Sequence, residues 1–311
     1  MLASPNSPFE RVTELSMARN VHERRTERQL LLILLPSLAL LLAFVIYPAL
    51  YSVYLSFTNE ALTGAAALRP RFVGIRNYAR LLNDAKFWNA LLVTFLFVVG
   101  SAVIGQFVLG LISAVALRRR IHFRRLFSSI ILLPNAAPEV VAGFMWISML
   151  AGGEQATLSR IVSFFGVTPA DWLQVFPLSM IIIVNTWRGI ATAMILLTAG
   201  LSTIPNEIYE AARMDGATPS QMFRRITLPL MMPTILLYML ISAVSTIAVF
   251  GLVYALTRGG PGGATELVSI YIYNQSFTAF QLGYGAAVAV VALLISLVLG
   301  IGYVRAMKVE V

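Results

Sequence analysis

Two opposite charges, Glu139 and Arg188, stand inside otherwise apolar stretches of this chain. If those stretches are spanning helices, helical rise puts Arg188 about 18 Å and Glu139 about 20 Å from where each span starts. An isolated charge at that depth is strongly disfavoured. Two arrangements relieve it. Either the two side chains pair and the pair is structural, or Arg188 faces a solute and selects an acidic or phosphorylated one. Arg188 shares a helical face with Asn185 and Thr192, and Asn185, Gly189 and Thr192 follow one another at steps of four and three. Tyr238, Ser242, Ser245 and Thr246 form a second polar stripe. Such groups suit hydrogen bonding to a polar solute, with Tyr254, Phe250 and Trp187 offering aromatic surface. They suit close helix packing in lipid equally well.

Other chemistries lack their residues. There is no cysteine, so disulfides and thiolate metal sites are excluded. The two histidines, His22 and His122, lie in basic stretches, and no metal site is expected. No Gly-x-x-x-x-Gly-Lys-Ser/Thr loop is present, so no ATP chemistry and no catalytic residue is expected of this chain. The run Arg258-Gly259-Gly260-Pro261 lacks the Lys-Ser/Thr of a phosphate loop and reads as a turn. A membrane-embedded enzyme would need His, Cys or Asp clustered at one membrane face, and none is seen. A self-sufficient secondary transporter would need coupling carboxylates or histidines in its spans, where only Glu139 qualifies.

The elements that carry these residues follow from composition. The chain is 311 residues long, 58% hydrophobic and 12% charged, against about a quarter charged in soluble domains. The charges sit in short patches between apolar runs, so the net +9 flanks membrane spans and does not mark a nucleic-acid surface. Six spans are predicted, at 29–55, 88–116, 126–150, 176–200, 230–256 and 284–305, each near the roughly 20 residues a crossing needs. The fold class is all-α, a polytopic membrane protein. Residues 1–28 read as a cytoplasmic segment and not a cleavable signal, 29–305 as the transmembrane domain, and 306–311 as a cytoplasmic tail. Fifteen Lys and Arg fall on the side of the termini and seven on the other, which puts both termini in the cytoplasm, although the five positives of the first outer loop oppose this. The third span is interrupted by Pro134-Asn135-Ala136-Ala137-Pro138, either as a kink or as the lining of a cavity.

The loop 201–229 is built in detail. Its first helix starts near Pro205, and Gly216 suits a left-handed cap. Thr218, Pro219 and Gln221 form a capping box, and Pro229 is expected to end a second short helix. Ile208, Ala211 and Ala212 share one face, and the small alanines leave room for another surface to approach. Glu210-Ala211-Ala212, Asp215-Gly216-Ala217, Phe223, Ile226 and Leu228-Pro229 resemble the coupling-loop motif of permease subunits in binding-protein-dependent ABC importers. The resemblance implies that this loop enters a groove on a cytoplasmic ATPase subunit. It assigns the contact to Glu210, Ala211, Ala212 and Gly216, with Arg213 and Asp215 as neighbours.

A second set of residues resembles the carbohydrate-uptake branch, with its maltose-type and glycerol-phosphate-type members. These are Thr257 to Pro261, Thr265-Glu266-Leu267, Tyr271-Ile272-Tyr273-Asn274, Phe277 and Gly283-Tyr284-Gly285-Ala286-Ala287. Tyr47-Pro48, Ser56-Phe57, Phe72-Val73-Gly74 and Asn77-Tyr78 resemble the start of the same subunit type, the first of two paired permeases. The resemblance implies a type I importer permease fold in a bacterial inner membrane. It implies a second permease subunit in a heterodimer, two ATPase subunits that use ATP and Mg, an external solute-binding protein, a sugar substrate and no cofactor on this chain. In maltose-type relatives spans four and five line the cavity, which tips Asn185, Gly189, Ser242 and Thr246 towards the pathway.

Overall fold

The computed structural model describes residues 34–118, 123–152, 156–166 and 170–308. The segment 1–28, both histidines and residues 309–311 lie outside them, and of the tail only 306–308 are described, as the end of the last helix. The chain divides into two compact units, with the boundary between Tyr54 and Leu55. The first contains nearly all of α1, Leu34–Ser56. Along it Tyr47, Tyr51 and Tyr54 stack at 6.3 Å between ring centroids, as their spacing of four and three requires.

The second unit carries the rest. Besides four short loop helices, in order come α2 (Ala85–Arg118), α3 (Arg124–Ala136), α4 (Glu139–Leu150), α5 (Pro177–Ser202), α6 (Asn206–Met214), α7 (Pro219–Ile247), α8 (Gly251–Thr257), α9 (Val268–Tyr273) and α10 (Leu282–Lys308). Helices α1, α2, α5, α7 and α10 are long and apolar enough to cross a membrane, and α3 with α4 makes a sixth, broken span. Among the described residues there is no strand, only an isolated bridge between Thr58 and Phe72.

The two halves of the third span bend by 104°. A residue before proline is driven out of the helical region, and Ala137, before Pro138, sits at φ −78°, ψ 133°. The break is therefore a corner, sharper than a proline kink.

The fifth span departs from expectation at both ends. Pro229 does not end a helix, because α7 runs from Pro219 through Pro229 and Pro233. A wide turn over Phe223–Thr227 loosens the hydrogen-bond ladder just ahead of Pro229, so the missing N–H and the ring are accommodated. The far end comes at Ile247, not 256. Phe250 leaves the helical region, and the chain restarts as α8. There Gly251 lies close against Glu139 and Val140 of α4.

Helix α5 is the hub. Of its most apolar stretch 44% is buried, against 28% for α2, α7 and α10. Helix α2 lies on it through Gly100, Gly105 and Gly110, which abut Ile182, Thr186 and Ala193. A spacing of five is not a helical face. The wide-turned stretch Val98–Gln106 brings these glycines into line, and small residues let the backbones approach.

On the side away from α6 the loops are pinned by polar contacts. Asn77 donates to the carbonyls of Ser56 and Thr58 at 2.9 and 2.8 Å, and Tyr78 pairs with Ser56 at 2.6 Å. Asp84 caps α2 and accepts hydrogen bonds from Tyr271 at 2.5 Å and Tyr284 at 2.7 Å. Burial raises the Asp84 carboxyl, but these bonds and those from the backbone N–H groups of Lys86 and Phe87 together outweigh it. They hold the group below its ordinary value of 3.8. A depressed folded value stabilises the fold above pH 3.8, and that contribution is lost as pH falls through the folded value. Asp84→Ala strands two tyrosine hydroxyls and is expected to cost about 1–3 kcal/mol. Thermal unfolding in detergent should show a gap between wild type and variant at pH 7 that narrows below about pH 4.

Candidate functional site

Between α2, the α3–α4 corner, α5 and α7 lies a cavity of about 280 Å³. Helix α5 contributes Asn185, Arg188, Gly189 and Thr192, and α7 contributes Tyr238, Ser242, Ser245 and Thr246. The corner adds Asn135 and Glu139, and α2 adds Gln106. The corner thus lines a cavity. A larger groove of about 550 Å³ along α2 and α10, bordered by Trp88, Val98 and Leu299, is almost wholly apolar and offers little to orient a polar solute.

The two mid-span charges meet in the cavity. Arg188 Nη1 donates to Glu139 Oε1 at 3.1 Å, with the side chains 23% and 32% exposed. Glu139 is the first residue of α4, where free N–H groups and the helix dipole favour a carboxylate. The corner that ends α3 therefore also places the partner of Arg188.

The remaining groups divide into those already bonded and those facing the void. Asn185 donates to Ser101 at 2.9 Å, and Gln106 donates to the Asn185 carbonyl at 3.0 Å. Ser242 donates to Gln106 Oε1 at 3.0 Å. A methyl group on Gly189 would overlap the Gln106 amide. Asn185, Gly189 and Ser242 thus hold α2, α5 and α7 together, while Thr192 and Ser245 are exposed to the cavity. Thr246 is 3% exposed.

Tyr254 does not reach this cavity. It lies in α8, stacked on Phe250 at 5.0 Å and beside Tyr273 at 5.1 Å. Trp187 packs edge-on against Trp146 at 5.5 Å, so the aromatic side chain at the cavity is Tyr238. The sequence reading missed Gln106 as a lining group, while Asn135 lies in the interruption expected either to kink the span or to line a cavity. An amide inside an apolar span was the available signal.

The connection from α5 to α7 is the second site. Thr218 and Gln221 form the reciprocal capping box, with Pro219 in the first turn. Gly216 takes φ +78° and donates to the Arg213 carbonyl at 3.0 Å. No residue of α6 is buried. Ala211, Met214, Asp215 and Gly216 are exposed and Ala212 is half-buried, while Ile208 is 38% and Met214 89% exposed. The helix is tethered from one side. Tyr209 pairs with Thr227 at 2.9 Å, and the Arg118 guanidinium lies 4.4 Å above the Tyr209 ring. Glu210 and Arg213 border a cleft of about 560 Å³ beside Arg118.

A broken-span bundle with a polar internal cavity and a capped helical knob defines a membrane transport component. Residues 106–306 match the family of binding-protein-dependent transport system inner membrane components. The chain belongs to this family. It is 32% identical over 277 residues to the trehalose/maltose transport system permease protein MalF of Thermococcus litoralis, covering 88% of this chain and 92% of that one. It is 31% identical to the sn-glycerol-3-phosphate transport system permease protein UgpA of Agrobacterium fabrum, over 86% and 90% of the two chains. A crystal structure of a bacterial ABC transporter involved in the import of the acidic polysaccharide alginate has a chain of the same fold. Its TM-score is 0.76 at 21% identity, with 93% of this chain and 98% of that one covered. The fold is that of a type I ABC importer permease, and the resemblance to the carbohydrate-uptake branch holds.

Proposed function

We propose that the chain is the transmembrane subunit of an ATP-driven sugar importer, supplying half of the translocation pathway and receiving the motion of a cytoplasmic ATPase through α6. The observation that carries this reading is α6 itself: a capped helix with no buried residue, tethered on one side and offering Ile208, Ala211 and Met214 on the other. Exposed apolar side chains on a short polar connection fit a protein groove. The docking contacts are Glu210, Ala211, Ala212 and Gly216, flanked by Arg213 and Asp215.

The complex contains a second permease as heterodimer partner, two ATPase subunits that use ATP and Mg, and an extracytoplasmic solute-binding protein. Both termini face the cytoplasm of a bacterial inner membrane, the side to which α6 projects. The pathway residues are those that border the cavity, with Arg188, Thr192 and Ser245 facing the void. Family membership disfavours a self-sufficient secondary transporter, and Glu139, the one mid-span carboxylate, is already paired.

Because the natural chain has no cysteine, Met214→Cys gives a single attachment point for a photoactivatable crosslinker. In inverted membrane vesicles it should capture a nucleotide-hydrolysing subunit. Labelling of Met214→Cys by an impermeant reagent from the outer surface would sink the reading.

A further inference from the structure

The connection between α4 and α5 contains a short helix, Thr157–Phe164, whose sides are the wrong way round for a loop in water. Ser159 faces inward and is fully buried, and its hydroxyl has no hydrogen-bond partner among the described residues. Ile161, Phe164 and Phe165, spaced by three and four, face outward, with Phe164 87% and Phe165 75% exposed. A loop in water would bury the rings and expose the serine. Three apolar side chains in one outward patch mark a surface that another apolar phase covers. Arg160 and Ser163 are exposed too, on a third side between the buried and the apolar ones.

Depth identifies that phase. Arg188 is the twelfth of the 26 residues of α5, so it lies near the middle of the span. Pro177 is eleven residues away along the helix, about 17 Å, and half of a hydrocarbon core is about 15 Å. Pro177 therefore stands at a membrane boundary, at the end of α5 away from α6. Trp172, stacked on Phe176 at 6.3 Å just ahead of Pro177, supplies the aromatic pair such a boundary favours. The end of α4 reaches the same level, because Gly152 abuts Asp171. The short helix is fixed there as well. Leu158 packs on the apolar cluster that contains Leu150, where Trp172, Leu173 and Leu178 also pack.

We propose that Thr157–Phe164 is an interfacial helix whose partner is the lipid surface. Ile161, Phe164 and Phe165 lie among the acyl chains just below the headgroups, while Arg160 and Ser163 face headgroups and water. A protein side, a lipid side and a water side are what a helix needs along the line where the three phases meet. The helix then anchors the far end of the broken span in the bilayer.

The chain has no cysteine, so Phe164→Cys and Ser163→Cys each accept a single nitroxide label. The labelled chain is assembled with partner subunits freed of cysteine and reconstituted in vesicles of phosphatidylcholine and phosphatidylglycerol. Both positions are exposed, so the substitutions spare the fold. Oxygen concentrates in hydrocarbon and a neutral nickel chelate in water, so their relative collision rates with the label report its depth. At position 164 oxygen should dominate, placing the label about 5–10 Å below the headgroup level. At position 163 the nickel chelate should dominate. Nickel-dominated collisions at 164 would put the helix in water and overturn the proposal. A label at 164 that neither reagent reaches would mean that a protein covers this face, which overturns it equally. Neither result touches the docking of α6, which rests on other residues.

Discussion

Gly216→Pro should abolish solute-stimulated ATP hydrolysis by the assembled importer while leaving the chain inserted in the membrane. Gly216 holds φ +78°, and proline is locked near −65°. Proline also lacks the N–H that Gly216 donates to the Arg213 carbonyl at 3.0 Å. The substitution therefore both strains the cap and removes one of its bonds, at a local cost above about 1 kcal/mol. The turn between α6 and the Thr218 cap must then open, and the docking face changes direction relative to α7. Nothing lies within 4 Å of where a Cβ at Gly216 would sit, so the damage stays local. Ala211→Trp is the companion variant. Ala211 is exposed, so added bulk there spares the fold and obstructs only a docking surface, whereas Ala212 is half-buried and bulk there also disturbs the chain itself. Solute-stimulated ATPase in proteoliposomes should fall at least about tenfold in both, the loss equivalent to about 1.4 kcal/mol of coupling. Wild-type stimulation in both would remove α6 from the coupling path.

Arg188→Ala should cost more stability than any single change on the cavity wall. It leaves Glu139 as an uncompensated charge at mid-span. Breaking a sealed ion pair costs roughly 3–5 kcal/mol. These side chains are 23% and 32% exposed, so water screens part of the penalty and about 2–4 kcal/mol is expected. The double variant Arg188→Ala with Glu139→Ala should recover part of that loss, since both charges are then gone. Folded yield and thermal unfolding in detergent measure both. Additive losses would mean that the pair has no energetic coupling.

What could be read from the sequence was what local chemistry determines. Thr218, Pro219 and Gln221 announce a capping box within four residues, and Gly216 announces the turn before it. Arg188 and Glu139 stand out because charge in lipid needs a reason, and a partner was the simplest one. Gln106 was missed because its place depends on the wide turn over Val98–Gln106, which no 3.6-residue periodicity reveals. Tyr254 was misplaced for the opposite reason. The apolar run continues past Ile247, but the backbone does not, because α8 must turn back to lie against α4. The Asp84 cluster joins residues 187 and 200 positions apart, and pairing over that distance leaves no trace in a single sequence. Asn185 and Ser242 were placed correctly beside the cavity, but their hydrogen bonds are spent within the bundle, which only the three-dimensional arrangement reveals.

The uninterrupted course of α5 has a mechanical consequence. Fourteen residues separate Ser202, next to the knob, from Arg188, a lever arm of about 21 Å. The neighbouring α7 is not uniform in the same way, since the wide turn over Phe223–Thr227 lies at its end next to α6. Rocking α5 by about 5° about its Ser202 end would sweep Arg188 through about 2 Å at that arm length. Directed away from the carboxylate, a displacement of that size would lengthen the 3.1 Å contact to about 5 Å.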